Sequence, residues 1–248
     1  MQPAGTCPLF GPTHLLTIAA MCILGCIIVY GSNRWISPDR RKWVGVLLGL
    51  FMFAQEILDR CLHHYLGNEP WRNVLPFHLC GMSVVLTAIL FITRKRSLYD
   101  LLYFWGLAGA TMAILTPDIQ FAFPHILNLT YFWSHALIIV GVAFMTVNYG
   151  YRPSFKSFLR ALVLTNLYMA LVIPINIALG TNYLYLCEKP KEATLIDLLG
   201  PWPWYILALE AVGTALFFIM YTPYLIADCV RAKAKPPSQT PFDCRRSR

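Results

Sequence analysis

Apolar residues gather along the chain in seven stretches, 13–30, 43–64, 76–93, 98–115, 129–149, 158–179 and 202–222, with short polar connections between them. Each is close to the roughly 20 residues that carry a helix across a bilayer core. Breakers punctuate the pattern: Ser37-Pro38-Asp39, Gly67 to Pro70, Thr116-Pro117-Asp118, Arg152-Pro153 and Gly200-Pro201. The pattern predicts an all-α membrane protein, a bundle of seven transmembrane helices filling residues 1–230. Pro174 inside the sixth stretch predicts a kink. The first stretch, from Thr13, has no basic region before it and no clear small-residue cleavage site after it, so it reads as a retained helix. Residues 231–248 are basic, contain Pro236-Pro237 and have almost no apolar content, which predicts a disordered cytoplasmic tail.

Basic residues set the orientation. The first connection holds Arg34, Arg40, Arg41 and Lys42, and the third holds Arg94, Lys95 and Arg96. The fifth holds Arg152 and Lys156, and six basic residues follow the last stretch. The other three connections hold only Arg72, Lys189 and Lys191. By the positive-inside rule the N-terminus is predicted outside and the C-terminus in the cytoplasm. Trp43, Trp71, Trp202, Trp204 and Tyr205 lie at stretch ends, as interfacial anchors do.

With this topology the ionisable residues fall in the outer half of the bundle. His14 is near the outer end of the first helix. Glu56, Asp59 and His63 share one face of the second at i, i+3 and i+7. His78 and Cys80 open the third, Asp118 closes the fourth, and His125 precedes the fifth. His135 lies roughly 9 Å into the fifth and Glu210 roughly 12 Å into the seventh, at 1.5 Å per residue. Asn176 and Asn182 end the sixth. A charge facing hydrocarbon costs roughly 2.5–3.5 kcal/mol on insertion scales, so the set predicts a polar cavity open to the outside, lined by His14, His78, Asp118, His135 and Glu210. Singly, each has a plainer role: a histidine at a span end as a structural hydrogen-bonder, and Glu56 with Arg60 as an i, i+4 salt bridge.

Composition narrows the function. The chain has 248 residues, 57% hydrophobic and 13% charged, so no separate soluble domain fits. The net charge of +8 resides at helix ends, where it reads as topology signal and contact with anionic lipid at the cytoplasmic face rather than as a nucleic-acid surface. No lysine lies within a stretch, which removes a retinal Schiff base. There is no Gly-rich phosphate loop and no HExxH, so no cofactor is expected. The eight cysteines show no zinc spacing, so no metal is expected either. Cys22 and Cys26 read as packing residues, and Cys7 with Cys187 could form a disulfide on the outer side.

Several strings carry a family resemblance: LPFHLC at 75–80, YFWG at 103–106, AILTPD at 113–118, FPH at 123–125, NYLYL at 182–186, KP at 189–190 and DLLGPWPWY at 197–205. From the first helix to the seventh the chain resembles the YwaF-like bacterial integral membrane proteins, grouped with the animal transmembrane protein 164. That resemblance implies a bacterial cytoplasmic-membrane protein. The animal relative is regarded as a phospholipid acyltransferase using a cysteine and a histidine. His135 is similar in position to that histidine. The cysteine has no direct match, because Phe77 stands where the family pattern places it before His-Leu. Cys80 lies about one turn further on and reads as a displaced nucleophile. On a regular helix His78 and Cys80 point roughly 160° apart, so both can line one cavity only if the helix start after Pro76 is irregular.

Three classes of function follow. The first is a lipid acyltransferase or hydrolase acting on membrane phospholipid, with Cys80 as nucleophile, His135 as general base and His78 assisting. The second is a transporter or a lipid- or solute-binding protein; no internal repeat supports transport. The third is a structural or sensory protein with packed histidines. Trp202 and Trp204, flanked by Pro201 and Pro203, predict a rigid entry to the seventh helix, either anchoring it or covering the cavity.

Overall fold

The computed structural model describes residues 9–117, 119, 121–189 and 198–234. Among these the chain forms seven α-helices: α1 (Pro12–Trp35), α2 (Pro38–Tyr65), α3 (Leu79–Thr93), α4 (Arg96–Leu115), α5 (Ile126–Tyr149), α6 (Phe155–Leu179) and α7 (Trp204–Ala234). A 3-10 turn, Tyr183–Tyr185, lies between α6 and α7. No strand occurs among the described residues. The protein is an all-α membrane protein, and five helices, α1 and α4 to α7, are long and apolar enough to cross a membrane. The other two differ for identifiable reasons. α2 is long but carries Glu56, Asp59 and Arg60 in its second half. α3 has 15 residues, roughly 22 Å of helix, short of a hydrocarbon layer.

Local chemistry fixes the ends. Pro38 and Asp39, which read as breakers, instead start α2: a proline in the first turn loses no helical bond, and an acidic residue there suits the dipole. Ser154 and Ser157 cap the start of α6 reciprocally. The His125 side chain accepts the Leu127 N–H at 3.2 Å to cap α5. Gly150 and Gly180 leave α5 and α6 at positive φ, +67° and +62°, which glycine adopts without a Cβ penalty. α6 runs through Pro174. α7 runs through Pro223 to Ala234, so the domain boundary expected at residue 230 falls inside a helix; apolar content fades there, but helix-forming residues continue.

α4 and α5 form the centre: 61% of each spanning window is buried, against 17% in α1, 11% in α6 and 17% in α7. α2 packs closely on α3 because Gly49 lies against the Ala88 carbonyl, where an added Cβ would come within 2.8 Å. Phe91, Phe104 and Phe144 fill the core. Tyr103 donates to the Met220 carbonyl at 2.8 Å, tying α4 to α7. Trp43, Trp71, Trp202 and Trp204 are exposed, as anchors should be, whereas Tyr205 is fully buried with its hydroxyl on the Tyr185 carbonyl. Cys22 and Cys26 are exposed on α1 rather than packed inside. Cys187 is a free thiol, and Cys7 lies outside the described residues, as do Asp118 and the segment 235–248.

Candidate functional site

The site is built around the start of α3. The chain from 66 to 78 is irregular and is held from three directions. His63 Nδ1 lies 2.9 Å from Glu69 Oε1, and His64 Nδ1 lies 2.7 Å from the Glu69 carbonyl. Tyr168 on α6 donates to the Phe77 carbonyl at 2.9 Å. Tyr183 donates to the Arg72 carbonyl at 2.6 Å and accepts the Leu75 N–H at 3.1 Å. Burial pushes the Tyr183 phenol above its ordinary range, which keeps it a donor. These tertiary bonds outweigh the helical pattern of residues 76–78, so α3 begins at Leu79 rather than at Pro76.

The segment after α6 folds over the same place. Asn176, 1% exposed, donates to the Tyr183 carbonyl at 2.9 Å. Its Oδ1 accepts from the Tyr183 N–H at 2.8 Å and the Thr181 hydroxyl at 3.0 Å. Asn182 accepts the Cys187 N–H at 3.0 Å and donates to the Glu188 carbonyl at 2.8 Å. Leu184 and Tyr185 have φ of +60° and +53°, a region costly for non-glycine residues. This strained corner brings the Leu184 N–H to His78 Nδ1 at a long 3.4 Å.

Two cavities meet at His78. One, of about 430 Å³, is polar and includes Glu69, Asn73, Thr181, Asn182, Glu188 and Lys189 in its lining. The second, of about 390 Å³, is mostly apolar and lies between α3, α4, α6 and α7; Leu162, Met169, Leu209 and Phe217 are among its walls. His78 and Tyr185 line both. We refer to them as the vestibule and the chamber. Cys80 and Glu210 also line the chamber, with Glu210 Oε1 accepting from Asn166 Nδ2 at 2.6 Å.

His78 and Cys80 reach one chamber because His78 precedes the helix: its φ of −66° and ψ of 150° are extended. The irregular start that a shared cavity requires is therefore present. The Cys80 thiol points toward α4, where a Cβ at Gly109 would lie 3.7 Å from the sulfur. The bond from Leu184 occupies the lone pair of His78 Nδ1, leaving Nε2 as the protonated, donating nitrogen of the neutral ring.

The remaining sequence-predicted residues divide. His14 is buried away from both cavities: Nδ1 accepts the Phe10 N–H at 3.0 Å and Nε2 donates to the Ile114 carbonyl at 2.8 Å, clasping α1 to α4. His135 is buried on α5 and lines neither cavity. Its Nδ1 lies 2.7 Å from the Tyr131 carbonyl, which only accepts, so the proton is on Nδ1 and Nε2 carries the lone pair. His125 is a helix cap stacked on Phe121. Trp204 is 65% exposed and covers neither cavity.

Glu56 and Asp59 are buried on α2. Arg60 reaches Glu56 Oε1 at 2.7 Å and Asp59 Oδ2 at 3.6 Å. The guanidinium also lies against Gly81. Arg60 thus joins the buried carboxylates of α2 to the start of α3. Sequence reasoning passed over it as half of a local pair, and passed over Tyr183 although it lies within NYLYL. No three His, Cys, Asp or Glu side chains among the described residues come together as a metal ligand set.

The comparisons with known proteins agree with the resemblance carried by the motifs. The TMEM164 family model matches residues 9–221, so the chain belongs to that family. An uncharacterized protein of Treponema pallidum (strain Nichols) is 30% identical over 218 residues, covering 87% of this chain and 89% of the relative. No solved structure matches the chain.

Proposed function

We propose that this TMEM164-family membrane protein binds a membrane phospholipid with its headgroup in the vestibule and one acyl chain in the chamber, and transfers or hydrolyses that acyl group. The observation that carries the reading is the position of His78 on both cavities, with Cys80 inside the apolar one. An amphiphile lying across that junction puts its ester, the bond between polar head and apolar chain, beside these two side chains.

In this reading Cys80 Sγ adds to the ester carbonyl, and its proton passes to the lone pair on Nε2 of His135, since both nitrogens of His78 are committed. The protonated Nε2 of His78 is disposed to donate to the developing oxyanion. Collapse breaks the C–O bond, and the lyso-lipid oxygen takes back the proton. Water or an acceptor hydroxyl then cleaves the thioester. His135, with its lone pair on Nε2, is the base that the family resemblance implies. By the Lys/Arg asymmetry the vestibule opens to the extracytoplasmic face of a bacterial cytoplasmic membrane, and the basic helix ends contact anionic lipid at the other.

Purified protein incubated with a phospholipid labelled in one acyl chain tests this. Released or transferred label, lost in Cys80→Ala and reduced at least tenfold in His78→Ala and His135→Ala, is the expected result. Binding of the lipid without turnover would replace catalysis by the second reading, a lipid-binding or transport protein. The absence of His135 from the walls of both cavities favours that reading.

A further inference from the structure

The peripheral helices α6 and α7 form one wall of the chamber, and the acyl-transfer reading leaves a pair of their side chains unused. Glu210 Oε1 accepts from Asn166 Nδ2 at 2.6 Å, both residues line the chamber, and Asn166 is exposed. Along α6 beyond Arg160, and along α7 as far as Ala227, Glu210 is the one charged residue. A carboxylic acid inside a span is costly where hydrocarbon surrounds it, so its place on this seam calls for a reason.

The seam between the two antiparallel helices has three levels. Near the start of α6 an aromatic clamp closes it: the ring centroid of Phe158 lies 6.2 Å from that of Phe218 and 6.5 Å from that of Tyr221, and Phe155 lies 6.2 Å from Tyr221. About two turns further along the seam, from Phe158 to Asn166 on one helix and from Phe218 back to Glu210 on the other, lies the polar pair. Between clamp and pair, Leu162, Gly213 and Thr214 line the chamber, and a Cβ added at Gly213 would meet nothing within 4 Å. The seam has room there. Beyond the pair, the 183–186 segment is tied to the start of α7, with the Tyr205 hydroxyl on the Tyr185 carbonyl and Trp202 Nε1 donating to the Leu186 carbonyl at 3.1 Å.

Among the described residues the Asn166–Glu210 bond is the only side-chain hydrogen bond from α6 to α7. A seam built to stay shut would fill the space beside Gly213 or add further ties. One interhelical hydrogen bond within a bilayer is a weak tie, which thermal motion breaks and remakes.

We propose that the seam between α6 and α7 is the lateral entry by which one acyl chain of a phospholipid in the surrounding leaflet reaches the chamber, with Asn166 and Glu210 as the bar that parts to admit it. The proposal rests on the reading of vestibule and chamber as one phospholipid site, and adds the route and the source. The chain moves sideways out of the bilayer, the headgroup follows at the surface to the vestibule, and the second chain stays among the lipids. The acyl donor is therefore a bilayer-resident diacyl lipid. A water-soluble thioester would have to carry its polar portion through hydrocarbon to use this route.

The test is a reversible clasp on the full chain in nanodiscs of unlabelled phosphatidylcholine. Asn166→His with Glu210→His sets two imidazoles across the seam for Zn²⁺ to bridge and EDTA to release. The probe is a phosphatidylcholine with a photoreactive group midway along one acyl chain, read as label on Phe217. Zn²⁺ added before the probe is expected to slow labelling at least tenfold, with EDTA restoring it. Zn²⁺ added after the probe leaves the label in place, and the wild-type protein labels equally with Zn²⁺ and with EDTA. Equal labelling of the clasped variant in both orders would overturn the entry route, and loss of label in both orders would overturn it too, by showing a distorted chamber. If the double variant does not fold or take up zinc, Asn166→Ala decides: labelling about threefold faster is expected for loss of one such bond, and an unchanged rate would overturn the route. Absence of chamber label from the wild-type protein would instead refute the single phospholipid site on which the proposal rests.

Discussion

The two sides of α3 differ in kind. One side turns Cys80 toward α4 and the chamber, where apolar walls of α4, α6 and α7 meet a polar mouth. On the other, α2 packs on α3 through Gly49 and brings the buried carboxylates of Glu56 and Asp59, held by Arg60. The chamber is roomy and borrows walls from the peripheral helices α6 and α7, whereas the α2–α3 seam is tight because glycines let the two helices touch. The same amphipathic economy therefore serves two purposes: space for a guest on one side, and fixed charge held by packing on the other. Arg60 is the link on the second side, bonded to both carboxylates and lying against Gly81 at the start of α3.

Breaking that link should have the largest effect. Arg60→Ala leaves Glu56 and Asp59 buried without their cation, and loss of one partner from a buried pair costs about 3–5 kcal/mol. A large drop in thermal midpoint is expected; a midpoint within a degree of wild type would show that Arg60 does not hold the two carboxylates. Next comes the strap over the chamber. Asn176→Ala removes three hydrogen bonds to the 181–183 segment, an expected loss of about 1–3 kcal/mol. Its lipid binding should weaken more than its fold, which separates it from Arg60→Ala when both are measured on folded protein. Smallest is Trp204→Ala. The ring is exposed and touches neither cavity, so a change within about 0.5 kcal/mol and near wild-type lipid binding are expected.

Much of the fold was legible in the pattern of apolar stretches, because a helix that must bury or face hydrocarbon writes its length into composition. α1, α4, α5 and α6 begin and end close to where hydropathy and breakers put them. The start of α3 was not legible. Pro76 to His78 look helical in sequence and are held otherwise by Tyr168 and Tyr183, residues far away in the chain. For the same reason hydropathy could flag His14 and His135 as polar residues in apolar runs but could not tell cavity from clasp: their partners are backbone carbonyls, at Ile114 and Tyr131. Gln55 and Ser83 carry no charge and so gave no signal at all, although both are buried.

The central claim is that vestibule and chamber form one site for a single amphiphile. A phospholipid carrying a photoreactive group midway along one acyl chain, cross-linked to the purified protein and mapped by peptide mass spectrometry, tests it most directly. The account expects labels on Leu162, Met169, Leu209 or Phe217 within the chamber, competed by unlabelled phospholipid and diminished when Gly109→Phe fills it. Labels confined to the apolar groove of about 410 Å³ along α1 and α5, at Ile18, Cys22 or Val140, with none in the chamber, would contradict it.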